Sequence, residues 1–385
     1  MPFKNTFNRF LTLNADSQER PGSTYPGGQV NETHSVANPY VHEPGNGYRY
    51  VVYVAPGTLT INSTGDVDVL VIGGGGSGGK GYGINNPDPT PPFNPTRSYY
   101  CGGGGGAGGM LELFAVPFPT GDYDISVGSG GAAVLGPEPI YTPGNFGAPS
   151  YVQRNPNDPD PSFTTLTAIG GGKGGGGGPP AGSNPESAGG NGGSGGGNGF
   201  GPPFGRWQSN GNNLLTNISP THNPIPLLPQ QVDPQGNDGG LALPVPGTSS
   251  FTSSSANKAG GGGGAGGASP GQDGGVGRSV WTADSGLPTA YGVTHPDPEI
   301  GGRWFCGGGG GGGVFVAGTG GVGGGGTAAF ADSTPPFNGT SSTPMPAARH
   351  NGGGGAGWSS SGYGGGNSST SHGSDGIVII RYSIG

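Results

Sequence analysis

The chain has 385 residues, of which 95 are glycine and 40 are proline, while only 29% are hydrophobic. Such a composition is typical of low-complexity chains, so an ordered fold needs a packing scheme other than an ordinary apolar core. The formal net charge is −8, with 14 lysines and arginines and no basic cluster, which argues against nucleic acid or an anionic membrane as a partner. No run of about 18 apolar residues occurs, so membrane insertion is not predicted.

Residues 1–47 are a polar segment with scattered apolar side chains. The segment lacks the continuous apolar stretch and the small-residue cleavage site of a secretory signal. Terminal segments of this kind are normally disordered unless other contacts tie them down. We therefore predict that residues 1–47 attach the chain to another protein, with apolar anchors at Phe3, Phe7, Phe10 and Leu11.

The next part of the chain predicts a small β-rich base. The predicted strands cover residues 50–54, 58–62, 67–72, 111–115, 123–127 and 377–382. The first two alternate around Pro56-Gly57 and predict a hairpin, and residues 111–115 and 123–127 predict a further pair.

The strand at residues 67–72 leads into glycines that match the dinucleotide pattern G-x-G-x-x-G at Gly73, Gly75 and Gly78. That pattern requires a helix directly after it, and the prolines between residues 87 and 95 exclude one. The nucleophile pattern G-x-S-x-G at residues 75–79 and 192–196 lies inside glycine runs, with no strand-to-helix turn to expose a serine. No nucleophile–base pair or carboxylate pair emerges, so the sequence predicts neither an enzyme nor a cofactor.

Each cysteine follows an arginine and two aromatic residues and precedes a glycine run, at Cys101 and Cys306. The two side chains are either buried as small apolar groups, the commonest state of a free cysteine, or joined in a disulfide. The six histidines show no metal-ligand spacing, and cysteine pairs at such spacing are absent. No metal site is predicted.

The glycine runs predict a bundle of polyglycine-II helices. Such helices have three residues per turn and point their backbone N–H and C=O groups outward, so neighbouring helices bond to one another. A helix with neighbours all round needs glycine at nearly every position, whereas one on the bundle surface tolerates a side chain at every third. The predicted tracts cover residues 73–81, 102–110, 128–133, 169–178, 189–201, 259–277, 307–326 and 352–376.

The predicted fold is mostly irregular: a polyglycine-II bundle with a small β-rich base, long loops and little or no α-helix. Its parts are an attachment segment (1–47), a β-strand base (48–72), the bundle with inserted loops (73–376) and a closing strand (377–385). If neighbouring tracts alternate in direction, the closing strand returns beside residues 67–72.

The same alternation places the loops. Residues 82–101, 134–168, 202–258 and 327–351 are predicted at the end opposite the strands, and residues 111–127, 179–188 and 278–306 at the strand end. The first group is rich in small polar residues and aromatics, the chemistry of evolved binding loops. Candidate receptor-binding residues are Phe93, Tyr141, Phe146, Phe204, Trp207, Phe251, Phe330 and Phe337. The alternative for any one of these is a ring folded back into a local core.

The order of motifs resembles the glycine-rich domain of bacteriophage tail proteins over roughly residues 48 to 383. The shared features are DVDVLVIGGGGSGG, ISVGSGG, repeated GGGGGAGG and a closing GSDGIVIIRY. The tracts and their variable loops are also similar to the tip adhesins of T-even-type phages, which carry a polyglycine-II sandwich and bind host receptors through loops at its outer end. Unlike those adhesins, this chain has strands at both ends of the glycine region and a separate N-terminal segment.

The resemblance implies a non-enzymatic virion protein, a tail fibre or tip adhesin, assembled in the host cytoplasm and extracellular in the released particle. Its partners would be other virion proteins, through residues 1–47, and a host-surface protein or glycan. The alternative is an architectural virion protein, a capsid decoration or fibre shaft whose loops contact other subunits. Adsorption to ice through flat glycine faces is disfavoured by the long aromatic-rich loops.

Overall fold

The computed structural model describes residues 32–34, 39–81, 83–84, 98–135, 142–155, 157, 163–178, 187–200, 235–242, 258–281, 286–298, 300–313, 316–328, 350–357 and 370–384. These residues contain no α-helix. Their strands are β1 (Glu32–His34), β2 (Tyr40–His42), β3 (Tyr48–Tyr53), β4 (Gly57–Ile61), β5 (Gly65–Ile72), β6 (Gly83–Ile84), β7 (Ser98–Tyr99), β8 (Met110–Phe118), β9 (Gly121–Ser126), β10 (Ser150–Arg154), β11 (Leu166–Ala168), β12 (Arg278–Val280), β13 (Val293–Thr294), β14 (Arg303–Phe305) and β15 (Ile377–Ser383).

Most of these strands form a layered base. The central sheet has the order β2-β3-β15-β5-β8, the cover sheet has the order β1-β4-β9-β10-β11, and a small sheet has the order β12-β14-β13. All pairings in the three sheets are antiparallel. The hairpin β6-β7 is separate from this base.

The central sheet is buried on both faces. Alternate side chains such as Val51, Val69 and Ile380 pack against the cover sheet. Their neighbours, such as Val52 and Leu70, pack on the other face against the small sheet and the ends of the glycine tracts. Two-sided burial explains why β5 and β15 are nearly continuous apolar runs rather than alternating ones.

The closing strand confirms one sequence prediction, because β15 pairs antiparallel with β5, placing Ile379 opposite Leu70. The predicted hairpin of residues 50–54 and 58–62 is wrong: β3 belongs to the central sheet and β4 to the cover sheet. The pairing of residues 111–115 with 123–127 is wrong for the same reason, since β8 pairs with β5 and β9 pairs with β4 and β10. In both cases the short connection carries the chain from one layer of the sandwich to the other.

A buried ion pair ties β5 to β15. Arg381 Nη2 lies 2.6 Å from Asp68 Oδ2, and the guanidinium lies between the rings of Tyr48 and Trp281, at 4.6 and 4.5 Å from their centroids. The other oxygen of Asp68 accepts a hydrogen bond from the Ala115 N–H at the bulge of β8. Both charges are therefore desolvated but fully paired.

The glycine tract at residues 102–110, the central tract, lies in the middle of the bundle. Successive N–H groups of this tract donate in turn to three neighbours, residues 169–175, 260–263 and 352–355, and the order repeats every three residues. Its carbonyl groups accept from three other neighbours, residues 73–79, 194–197 and 309–312, with the same repeat. The central tract thus has six neighbours, three that it donates to and three that donate to it. This is the hydrogen-bond pattern of polyglycine-II helices packed side by side.

The six neighbours form an inner ring, and further tracts form a partial outer layer. The inner ring consists of residues 73–81, 169–178, 194–200, 258–265, 306–313 and 350–357, and the outer layer of residues 128–134, 142–148, 187–190, 235–242, 267–277, 316–328 and 370–376. The central tract and inner ring are nearly all glycine, whereas outer-layer tracts such as TPGNFGA carry many side chains. Backbone spacing explains the difference, because a methyl group added at Gly104 or Gly262 would overlap a carbonyl oxygen of the next tract.

The tract boundaries differ from the sequence prediction in three ways. Residues 142–148, predicted as loop, form an outer-layer tract whose Gly144 and Gly147 are spaced three apart. The predicted tract 189–201 contains a reversal of chain direction near residue 192. Before it, Gly190 bonds to Lys173 with the chain antiparallel to tract 169–178, and after it, Gly197 bonds to Gly175 with the chain parallel to that tract. The predicted tracts 259–277 and 307–326 contain similar reversals, near residues 266 and 272 and near residues 315 and 323.

Candidate display surface at the outer end of the bundle

The bundle has two distinct ends. At the base end the tracts join the strands, as Gly73 follows β5 and Gly376 precedes β15. The opposite, outer end is marked by isolated bridges that join Lys80 to Thr142, Cys101 to Phe200 and Lys258 to Gly313. A small apolar cluster of Cys101, Phe200 and Ala259 closes this end around the start of the central tract.

Hydrogen-bond register shows which connections begin and end at the outer end. The flanking residues that lie there in pairs are Gly81 and Tyr100, Leu135 and Thr142, Gly178 and Ser187, Ala242 and Lys258, Gly313 and Val316, and Gly357 and Thr370. Two further connections start at the outer end, after Phe200 and Ala328, and finish at the base end, before Gln235 and His350. Six connections between tracts therefore begin and end at the same end of the bundle.

The predicted loop positions are partly confirmed. Residues 82–101 lie between two outer-end positions, and residues 111–127 and 278–306 contain base strands, as expected. The segment 134–168 was wrongly placed as a single outer loop, because it contains tract 142–148 and strands β10 and β11. Residues 179–188 were wrongly placed at the base, since tracts 169–178 and 187–190 meet at the outer end.

The two remaining outer loops also differ from the prediction. Residues 202–258 are interrupted by the outer-layer tract 235–242, which donates and accepts hydrogen bonds within the bundle. Residues 327–351 connect the outer end to the base end rather than returning to the outer end. The first error follows from the unrecognised tract 235–242, and the second from a reversal between residues 357 and 370 within the predicted tract 352–376.

Phe146 is the one receptor-binding candidate among the described residues. It lies on tract 142–148, on the side of the bundle, and 53% of its surface is exposed. Its ring covers Gly190, and Lys173 Nζ lies 5.6 Å from the ring centroid. The ring of Phe146 and the Lys173 stem thus lie over Gly190 on the side of the bundle, and a role of Phe146 in receptor binding stays a prediction.

The other candidates lie outside the described residues. They are the receptor-binding candidates Phe93, Tyr141, Phe204, Trp207, Phe251, Phe330 and Phe337 and the attachment candidates Phe3, Phe7, Phe10 and Leu11.

Three exposed aliphatic residues at the outer end were missed by the sequence analysis. Leu135, Leu241 and Val316 are 77%, 44% and 57% exposed, and each lies at the outer end of a tract. Their signal in the sequence was an aliphatic side chain at the end of a glycine-rich tract. They are exposed apolar side chains at the outer end of the bundle, where a binding partner could contact them.

The two cysteines are buried and form no disulfide. Cys101 begins the central tract at the outer end, and Cys306 begins an antiparallel inner-ring tract at the base end. The register places them about seven residues apart along the bundle, or about 20 Å at the rise of this helix. A disulfide between them is therefore excluded. Burial raises the pKa of each thiol to about 12.

In the part of the chain that the structure describes, no group of three or more His, Cys, Asp and Glu side chains could hold a metal ion. A helix long and apolar enough to cross a membrane is likewise absent from those residues. The carboxyl of Glu112 in the base has a raised pKa because it is buried, although Arg278 and the Trp281 N–H partly oppose the shift.

The fold and its outer end define a glycine-bundle scaffold, in which a layered β base carries a polyglycine-II bundle with six connections that begin and end at its outer end. A family model described as a glycine-rich domain matches residues 54–383, and the chain belongs to this family. No curated protein matches the sequence.

Proposed function

We propose that this protein is a non-enzymatic virion component of a bacteriophage, a tail fibre or tip adhesin whose outer-end segments bind a host-surface receptor. The observation that carries the proposal is that six connections between tracts begin and end at one end of the bundle, opposite the strands. Loops carry function more often than the scaffold that holds them. Receptor-binding proteins need a support that is separate from the binding surface.

The base end is suited to virion attachment. Strands β1 and β2 lie at the edges of the cover sheet and central sheet, next to β4 and β3. The N-terminal segment therefore joins the molecule through its base. A chain anchored there would direct its outer end away from the particle.

The proposal is tested by exchanging residues 243–257, which lie between the outer-end residues Ala242 and Lys258, for a glycine-serine linker. The exchange should leave folding and incorporation into particles unchanged, and it should abolish or redirect adsorption to host cells. The matched control exchanges residues 156–162, which lie between β10 and β11 at the base. Adsorption of the control particles should equal that of the wild type.

Normal adsorption with folded, incorporated protein after the outer exchange would favour the architectural alternative. Imaging of particles with a label on this protein separates the same two functions, since a tail-tip position supports adhesion and a capsid position supports architecture. Deletion of residues 1–31 should leave particles without the protein. Normal incorporation of that deletion variant would contradict attachment through the N-terminal segment.

A further inference from the structure

Outer-layer tracts 128–134 and 370–376 run side by side and are joined by a seam of side-chain hydrogen bonds. Tract 370–376 donates three backbone N–H groups, those of Thr370, Gly373 and Gly376, to carbonyls of tract 128–134. In the other direction, three N–H groups of tract 128–134 donate to side chains instead of carbonyls. The bonds are Gly130 to Asp375 Oδ1 at 2.8 Å, Ala133 to His372 Nδ1 at 3.2 Å and Val134 to Thr370 Oγ1 at 2.8 Å.

The bond to His372 depends on the protonation state of the ring. Because the Ala133 N–H donates to Nδ1, that nitrogen must be the unprotonated acceptor and the ring proton must lie on Nε2. An imidazolium carries protons on both nitrogens and cannot accept this bond. Histidine is the side chain that changes charge between about pH 5 and 8, and His372 is exposed, so solvent protons reach it.

We propose that this seam is a proton-sensitive device in which protonation of His372 releases the Ala133 amide and loosens the outer end of tract 128–134. That end carries the exposed Leu135 and leads into residues 136–141. Protonation thus weakens the attachment of the tract end from which the connection to residue 142 begins. The device belongs to the bundle itself and is independent of any receptor.

The charged groups around the seam are few. Asp375 lies one helical turn from His372 on the same tract, and tract 128–134 has no ionisable side chain. The other packed tracts contribute Lys80, which is buried near the outer end, and His350 at the base end. The bond from the Gly130 N–H to Asp375 Oδ1 does not involve His372, so it serves as an internal reference for the seam.

The test measures amide hydrogen exchange by NMR between pH 7.5 and pH 5.5, with rates corrected for the intrinsic pH dependence of exchange. In the wild type, protection of Ala133 should fall by roughly two- to tenfold on acidification, the worth of one net hydrogen bond. In His372→Asn, the amide oxygen keeps an acceptor near the Nδ1 position but does not titrate, so the acid-dependent fall should disappear. Protection of Gly130 should stay constant in both proteins.

An equal fall at Ala133 in the wild type and in His372→Asn would overturn the proposal, as would a fall spread evenly over all the tracts. If the variant does not fold, the proposal can still be tested by following the NMR shifts of the wild-type protein as the pH is lowered. The Ala133 amide shift and the His372 ring shift should then follow one midpoint, and different midpoints would refute the coupling.

Discussion

Substitution of Gly104 measures how strictly the bundle depends on glycine. Gly104 lies within the central tract, and a Cβ atom there would overlap the carbonyl oxygen of Gly309. It would also lie 2.7 Å from the Gly309 carbonyl carbon and 2.8 Å from the Gly310 oxygen. Ordinary contacts of a carbon atom are about 3.5 Å or longer. The two tracts would have to separate by most of an ångström, and valine would add two further methyl groups.

Separation of these tracts weakens specific hydrogen bonds. Gly309 donates to Gly105 at 3.0 Å, and Gly312 donates to Gly102 at 2.9 Å. At about 0.5–1.5 kcal/mol net for each bond, their loss amounts to roughly 1–3 kcal/mol. Overpacking adds about 1–3 kcal/mol. The sum is a large part of the total stability of an ordinary protein, about 5–15 kcal/mol.

The assay is thermal unfolding of Gly104→Val and Gly262→Val beside three milder variants. Ala107→Ser and Ala265→Ser replace side chains that the bundle already accommodates, and Gly267→Ala places a methyl group 3.1 Å from the flexible Val276 side chain and near no backbone atom. The valine variants should unfold more than about 5 °C below the wild type or fail to fold, and the milder variants should stay within about 2 °C. Equal melting temperatures for the two groups would refute close backbone packing as the basis of the fold.

Three further predictions concern the base and the thiols. Arg381→Ala should lower the free energy of unfolding by about 3–5 kcal/mol, because it leaves Asp68 buried without its partner, whereas Arg49→Ala, which breaks the exposed pair with Glu43, should cost less than about 1 kcal/mol in denaturant titrations. Because burial raises the pKa of Glu112 above its ordinary value of 4.5, its contribution to stability is fully present below pH 4.5 and is lost as pH rises through the folded-state pKa. Glu112→Gln should therefore gain stability relative to the wild type between pH 4.5 and pH 7, and the opposite trend in melting temperature would contradict the assigned shift. Cys101 and Cys306 should resist alkylation at pH 8 in the native protein and react in denaturant, since both thiols are buried with a pKa of about 12; rapid native labelling of either would contradict that burial.

The sequence predicts the bundle and its closure better than the path of the chain within it. Strand β5, the tract after it and the return of β15 were predictable because long apolar and glycine runs have a single physical reading in this context. The reversal near residue 192 was not, since glycine adopts turn and extended conformations with nearly equal ease. Tract 142–148 was missed because its proline and asparagine residues are typical of loops.

The candidate display surface was predictable only as a region. The number of crossings identified the outer end for residues 82–101, but the unrecognised tract 142–148 added a crossing and so changed the end assigned to residues 179–188. Phe146 was assigned to a loop because aromatics beside proline are typical of binding loops, although its ring covers Gly190 on the side of the bundle. Solvent exposure at Leu135 depends on where its tract ends, which composition alone does not determine.

The position of β15 in the middle of the central sheet constrains how the protein is made. It lies between β3 and β5, yet Arg381 is 313 positions from its partner Asp68 along the chain. A ribosome must release nearly all of the glycine region before the sheet can be completed, so folding follows synthesis of β15. Contacts this distant in sequence form slowly, and incomplete chains expose unpaired strand edges to chaperones and proteases. Only a chain that includes β15 can pair the facing edges of β3 and β5, so a truncated chain cannot complete the central sheet.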